Sequence, residues 1–87
     1  MKVVNVSVDM IALFNKNGEP KPIKFRLTSK DGEYITVKVK KILLKNKLKI
    51  ANKKYFSFRC QSIIRGLEKV YELRYDTNEF KWILFKM

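Results

Sequence analysis

The stretch from Tyr55 to Met87 constrains the fold most, because apolar and polar residues alternate on both sides of an Arg65-Gly66 turn signal. With Ile64 facing Leu67 across that turn, Cys60 meets Tyr71, Phe58 meets Leu73 and Phe56 meets Tyr75, all on one face. Arg59 then meets Glu72, and Ser57 meets Arg74, on the other. A slip of one residue would carry Phe58 to the face opposite its apolar partners, so this register is strongly specified. Asp76-Thr77-Asn78-Glu79 supplies the next turn, and a tight loop there pairs Tyr75 with Phe80 and Leu73 with Trp82. The prediction is a three-stranded antiparallel meander. Its last strand is apolar on both faces, with Phe80, Trp82 and Leu84 on one and Ile83 and Phe85 on the other.

The first half reads in the same period. Val4, Val6 and Val8 alternate with Asn5, Ser7 and Asp9, and the phase is lost at Met10-Ile11-Ala12-Leu13. That loss predicts a bulge or a stretch buried on both sides. Asn17-Gly18 is the turn that follows. Pro20 and Pro22 share a parity, so their missing N–H groups point to one side, which must be an edge or a loop; the next strand is expected to start near Ile23. Ile23, Phe25 and Leu27 answer Ile35, Val37 and Val39 if Lys30-Asp31-Gly32 forms a three-residue loop with a left-handed Gly32. For Lys41 to Lys54 a strand ending in an Asn52-Lys53-Lys54 turn is favoured over an amphipathic helix, because Leu44, Leu48 and Ala51 make only a thin helical stripe. Strands at this spacing predict one all-β domain over residues 1–87, a small antiparallel β-barrel or rolled meander of about six strands.

Several function classes are disfavoured by what the chain contains. It has no histidine, its eight carboxylates fall mostly in turns or on outward faces, and its three glycines are isolated. The commonest general base, paired catalytic carboxylates and a phosphate-cradling glycine loop are therefore missing. Cys60 lies in register with Phe56 and Phe58 and reads as a core thiol; alone it forms no internal disulfide and no zinc site. The expectation is a protein that is not an enzyme and has no cofactor or metal. No apolar run approaches the ~18 residues of a transmembrane helix, and nothing after Met1 resembles a signal core. With a lone thiol, these features predict a cytoplasmic location.

The formal charge is +12, from 20 basic and 8 acidic residues. Such a balance favours polyanions, nucleic acid first and an anionic membrane surface second. Lysine greatly outnumbers arginine, however, and a merely solvated lysine-rich surface is the competing reading. Lys24, Arg26, Lys38 and Lys40 fall on the outer side of the predicted Ile23–Lys40 hairpin, where Lys24 faces Lys38 at a cost unless an anion or solvent relieves it. Arg59 and Arg74 share the outer face of the meander with Tyr55 and Ser57. Basic and aromatic side chains mixed on a polar β-face are how small barrels hold single strands. These seven, Lys24, Arg26, Lys38, Lys40, Tyr55, Arg59 and Arg74, are the candidate nucleic-acid contacts. Alternatively Arg59 simply pairs with Glu72 and the lysines keep sheet edges apart. The alternative from another class is a protein-interaction or homo-oligomerising module using Ile83 and Phe85.

Val70-Tyr71-Glu72-Leu73-Arg74-Tyr75, followed by Lys81-Trp82-Ile83-Leu84, resembles a group of small uncharacterised bacterial all-β domains. These occur alone or appended to relatives of lesion-bypass DNA polymerases. Ile11-Ala12-Leu13-Phe14, Asn17-Gly18, Ile23 to Arg26 and Gly32-Glu33-Tyr34 resemble their opening hairpin, whereas Lys45 to Lys54 has no match in them. The resemblance implies a small β-barrel in a setting near DNA repair, and it assigns no functional residue.

Overall fold

A computed structural model describes residues 1–87. Seven strands follow in order: β1 (Val3–Phe14), β2 (Pro20–Thr28), β3 (Tyr34–Lys38), β4 (Lys41–Ile50), β5 (Lys53–Ile64), β6 (Leu67–Asp76) and β7 (Lys81–Lys86). All pairings are antiparallel, in one curled half-barrel sheet of order β3-β2-β1-β7-β6-β5-β4. The all-β expectation holds, with seven strands in place of about six. The extra strand arises because the run from Tyr34 to Ile50 changes partner midway. It pairs with β2 up to Lys38 and with β5 from Lys41.

A buried hydroxyl fixes that bend. Ser62 Oγ donates to the Lys38 carbonyl at 2.6 Å and lies 2.6 Å from the Tyr71 hydroxyl, while the Lys40 N–H donates to the Gln61 carbonyl. With its one proton committed to Lys38, Ser62 accepts from Tyr71, so every polar group in the seam is satisfied. Around it lies the core of Phe25, Val37, Phe58, Cys60, Tyr71, Leu73, Trp82 and Leu84. Burial pushes the Cys60 thiol up to about 12, as befits a packed rather than a reactive sulfur.

The turns show how local sequence sets register. Arg65 (φ 50°) and Gly66 (φ 78°) are both left-handed, a two-residue turn whose twist suits the flanking strands, and every β5–β6 pair predicted above is present. Gly32 (φ 80°) closes a three-residue loop, so Leu27 faces Ile35 and Phe25 faces Val37. The β6–β7 pairing departs from expectation. Asp76 Oδ1 accepts the Asn78 and Glu79 N–H groups, and Phe80 N–H donates to the Asp76 carbonyl. The loop is thus two residues longer than a tight turn: Tyr75 faces Trp82, Leu73 faces Leu84, and Phe80 stands in solvent, 78% exposed.

The β6–β7 ladder also shifts register between Glu72 and Leu73, and three further bulges account for the other departures. Asn5 is left-handed where the β1–β7 register shifts, so only Val6 and Val8 of the valine series face Leu84 and Trp82. Between Ile11 and Ala12 the β1–β2 register shifts with Ile23 as the extra residue. On β1 itself the alternation continues through Val8, Met10 and Ala12, which point inward, while Ile11 and Leu13 are exposed, so that stretch is neither bulged nor buried on both sides. β2 starts at Pro20, earlier than expected. Both prolines are buried and pair with β1 only, since β3 stops at the Lys24–Lys38 pair, and their missing N–H groups fall on that unpaired side. The third bulge, at Leu43, has the largest consequence.

Candidate nucleic-acid interface

Straight alternation from Ile42 would keep Leu44, Leu48 and Ile50 on the core side of β4. Instead Ile42 faces Cys60, Leu43 is extra, and Leu44 faces Arg59. The two faces exchange. Leu44, Leu48 and Ile50 lie on the convex side, while Lys45 faces Phe58, Lys47 faces Phe56 and Lys49 faces Lys54 on the concave side. The helix alternative for this segment is overturned, because the ladder to β5 runs unbroken from Leu44 to the turn. That turn is Ala51-Asn52, left-handed at φ 49° and 67°, rather than Asn52-Lys53-Lys54.

Of the seven candidate contacts, Lys24, Arg26 and Lys38 come together on the outer face of the β2–β3 hairpin. Lys24 faces Lys38 as the register required, and neither has a carboxylate partner. Arg26 is engaged: its guanidinium donates to Asp9 Oδ2 at 2.9 and 3.2 Å and lies 4.1 Å from the centre of the Tyr34 ring. The Asp9 hydrogen bond raises its already high pKa further and keeps it charged. A shallow depression runs between Asp9, Lys24, Arg26 and Thr36. Lys40 belongs to the bend, beside Lys21 and Lys41.

Tyr55, Arg59 and Arg74 sit elsewhere, on β5 and β6, with β1 and β7 intervening in the sheet. Arg59 is exposed and has no ion pair; Tyr55 is half-buried between Leu48 and Asp76. Arg74 is not free. Its Nε donates to Glu72 Oε2 at 2.7 Å, that oxygen also accepts from Ser57 Oγ, and the guanidinium lies 3.5 Å from the Phe85 ring centre. Glu72 thus pairs within its own strand rather than with Arg59 across it. The arginine covers Phe85, and Ile83 beside it is only half-exposed.

Two groups were missed by pattern reading. Tyr34, 65% exposed, carries the Arg26 stack; its position opposite Thr28 was implied by the predicted hairpin. The other group is the concave surface of β4 and its neighbours. Lys47 Nζ stands 5.8 Å from the Phe56 ring centre, Phe14 meets Tyr75 edge-on at 5.5 Å, and Tyr75 rests on Trp82 at 5.1 Å. Across a gap of about 220 Å³ from Lys45 and Phe58 stand Glu19, Pro20 and Lys21. The Glu19 carboxyl is held below its ordinary value, first by the Asn15 side-chain hydrogen bond and then by the charge of Lys45.

No three of the chain's carboxylates and thiol come together in a way that could hold a metal ion. No helix is long and apolar enough to cross a membrane. Comparison with protein-family models, with curated proteins and with solved structures gives no match. The resemblance drawn from the strand motifs therefore stands on those motifs alone.

Proposed function

We propose that the chain is a non-enzymatic binding module for nucleic acid, a small β half-barrel that holds the sugar-phosphate backbone with little sequence preference. The observation that carries this reading is the Lys24–Lys38 pair. Two like charges stand directly opposite on one exposed β-face, without a carboxylate to relieve them, inside a chain of net charge +12. Such a pair is unfavourable alone and is relieved by a bridging phosphate. Arg26, already carrying Asp9, contributes orientation more than net charge. Tyr34, the ring on this surface, already carries Arg26 on one face at 4.1 Å, so the surface suits backbone contact more than base reading.

The test is the salt dependence of polynucleotide binding. Affinity should fall steeply with salt, and changing Lys24 and Lys38 together to Ser should flatten the slope by roughly 0.7 per lost single-strand contact or 0.9 per duplex contact. The same change at Lys2 and Lys53, outside the β2–β3 hairpin, should flatten it less. Equal effects from the two pairs would reduce the interaction to net charge. Absence of binding at low salt would remove the nucleic-acid reading and leave the interaction-module reading.

A further inference from the structure

Strand direction alternates along the meander, so the β1–β2 turn, the β4–β5 turn and the β6–β7 loop meet at one end of the half-barrel. Thr77 of the β6–β7 loop ties it to the β4–β5 hairpin by donating to the Lys54 carbonyl. The concave face at this end brings lysines that have no carboxylate partner onto one surface with accessible rings, Lys47 Nζ already standing 5.8 Å from the Phe56 ring centre. Resting on the nucleic-acid reading above, we propose that this groove is a base-contacting site for single-stranded nucleic acid. Lys45, Lys47, Lys49 and Lys54 follow the phosphates, and Phe14, Phe56 and Tyr75 stack unpaired bases.

Three observations carry it. First, the lysines are placed by the fold: the Leu43 bulge turns three of them to the face that carries Phe58 and Phe56, and Lys49 meets Lys54 directly. None of the four has a carboxylate within ion-pair distance. Second, the rings beside them are reachable. Phe14 is 47% exposed, and Phe56 and Tyr75 are half-buried, whereas the rings deeper in the barrel are sealed. Third, the acidic group facing the array is Glu19, its carboxyl lowered first by the Asn15 hydrogen bond and also by the charges of Lys45 and Lys47, so one carboxylate stands against four lysines. A groove with lysines along one wall and rings on its floor fits a chain of phosphates and exposed bases. A duplex cannot present base faces to it. The groove and the hairpin face therefore divide the work: one needs unpaired bases, the other only phosphates.

The rival account is that inward lysines guard β4, an edge strand, against pairing with another sheet. Trp82 supplies a local reporter, being the sole tryptophan, 6% exposed and in contact with Tyr75. The intact chain would be titrated with an oligothymidylate of about ten residues, an abasic chain of equal length and a duplex. The oligothymidylate should bind about fivefold or more tighter than the abasic chain, and it alone should change Trp82 emission. Changing Lys45, Lys47 and Lys49 to Ser should weaken oligothymidylate binding about tenfold or more and spare duplex binding. Phe14→Ser should remove about fivefold of the preference for bases over the abasic chain. The proposal is overturned if the two single chains bind alike with Trp82 unchanged. It is also overturned if the triple-lysine variant keeps its affinity and self-associates. In both cases duplex binding would leave the broader function standing. No binding to any of the three polymers at low salt would overturn both.

Discussion

The two ends of the half-barrel are made from the same kind of alternating strand and have opposite character. At one end Phe25, Val37, Cys60 and Tyr71 are sealed, and the Ser62 hydroxyl joins β3, β5 and β6. At the other, Phe14 is open to solvent and Phe56 half-buried, and lysines occupy the face that alternation would have given to leucines. A single extra residue, Leu43, separates the two outcomes on β4. Fold-determining contacts are concentrated where the pattern is unbroken, and the chemically uncommitted surface lies where a bulge has shifted it.

The comparison breaks most readily at the core. Phe25, buried against Tyr71 at 5.5 Å, should cost about 3–5 kcal/mol when changed to Ala, whereas Phe14→Ala should cost less than about 1.5 kcal/mol. Urea midpoints of the two variants measure this, and equal losses would mean that the ends are not energetically distinct. Ser62→Ala should come next. It strips the Lys38 carbonyl of its buried partner and leaves the Tyr71 hydroxyl unpaired, at about 1–3 kcal/mol. Tyr71→Phe leaves the Ser62–Lys38 bond intact and should cost less, so the ordering of the two variants reports whether the seam is built as described. The smallest effect belongs to the open end. Ala51 sits at φ 49°, a conformation that asparagine tolerates better, so Ala51→Asn should stabilise by about 0.5–1 kcal/mol. A thermal midpoint unchanged or lowered in that variant would put the β4–β5 turn elsewhere.

These contrasts follow what could be seen in the residues alone. The β5–β6 register was legible because ten consecutive positions alternate and Arg65-Gly66 permits one turn type. The β2–β3 register was legible because only a left-handed Gly32 aligns Leu27 with Ile35. Phe80 misled because hydrophobicity placed it in the core, whereas the Asp76 carboxylate caps a longer loop that ejects it. On β4, Ile42, Leu44, Leu48 and Ile50 share a parity and read as one core face. A bulge leaves no signature in such a pattern, because either neighbour of the shift is apolar. The basic hairpin face was therefore foreseen, with Lys24 and Lys38 opposed, and the lysine-lined groove was not. Arg74 was misjudged for a different reason: charge counting along a strand does not show that Glu72 and Phe85 converge on one guanidinium.

The register of β4 carries the central claim, and it is open to a direct measurement. In a proton NOE spectrum, the Phe56 ring should show cross-peaks to the methylenes of Lys47, with the Phe58 ring reaching those of Lys45. Cross-peaks from those rings to the methyl groups of Leu44 and Leu48 instead would mean that β4 keeps straight alternation. The lysines would then face outward and the groove would not exist.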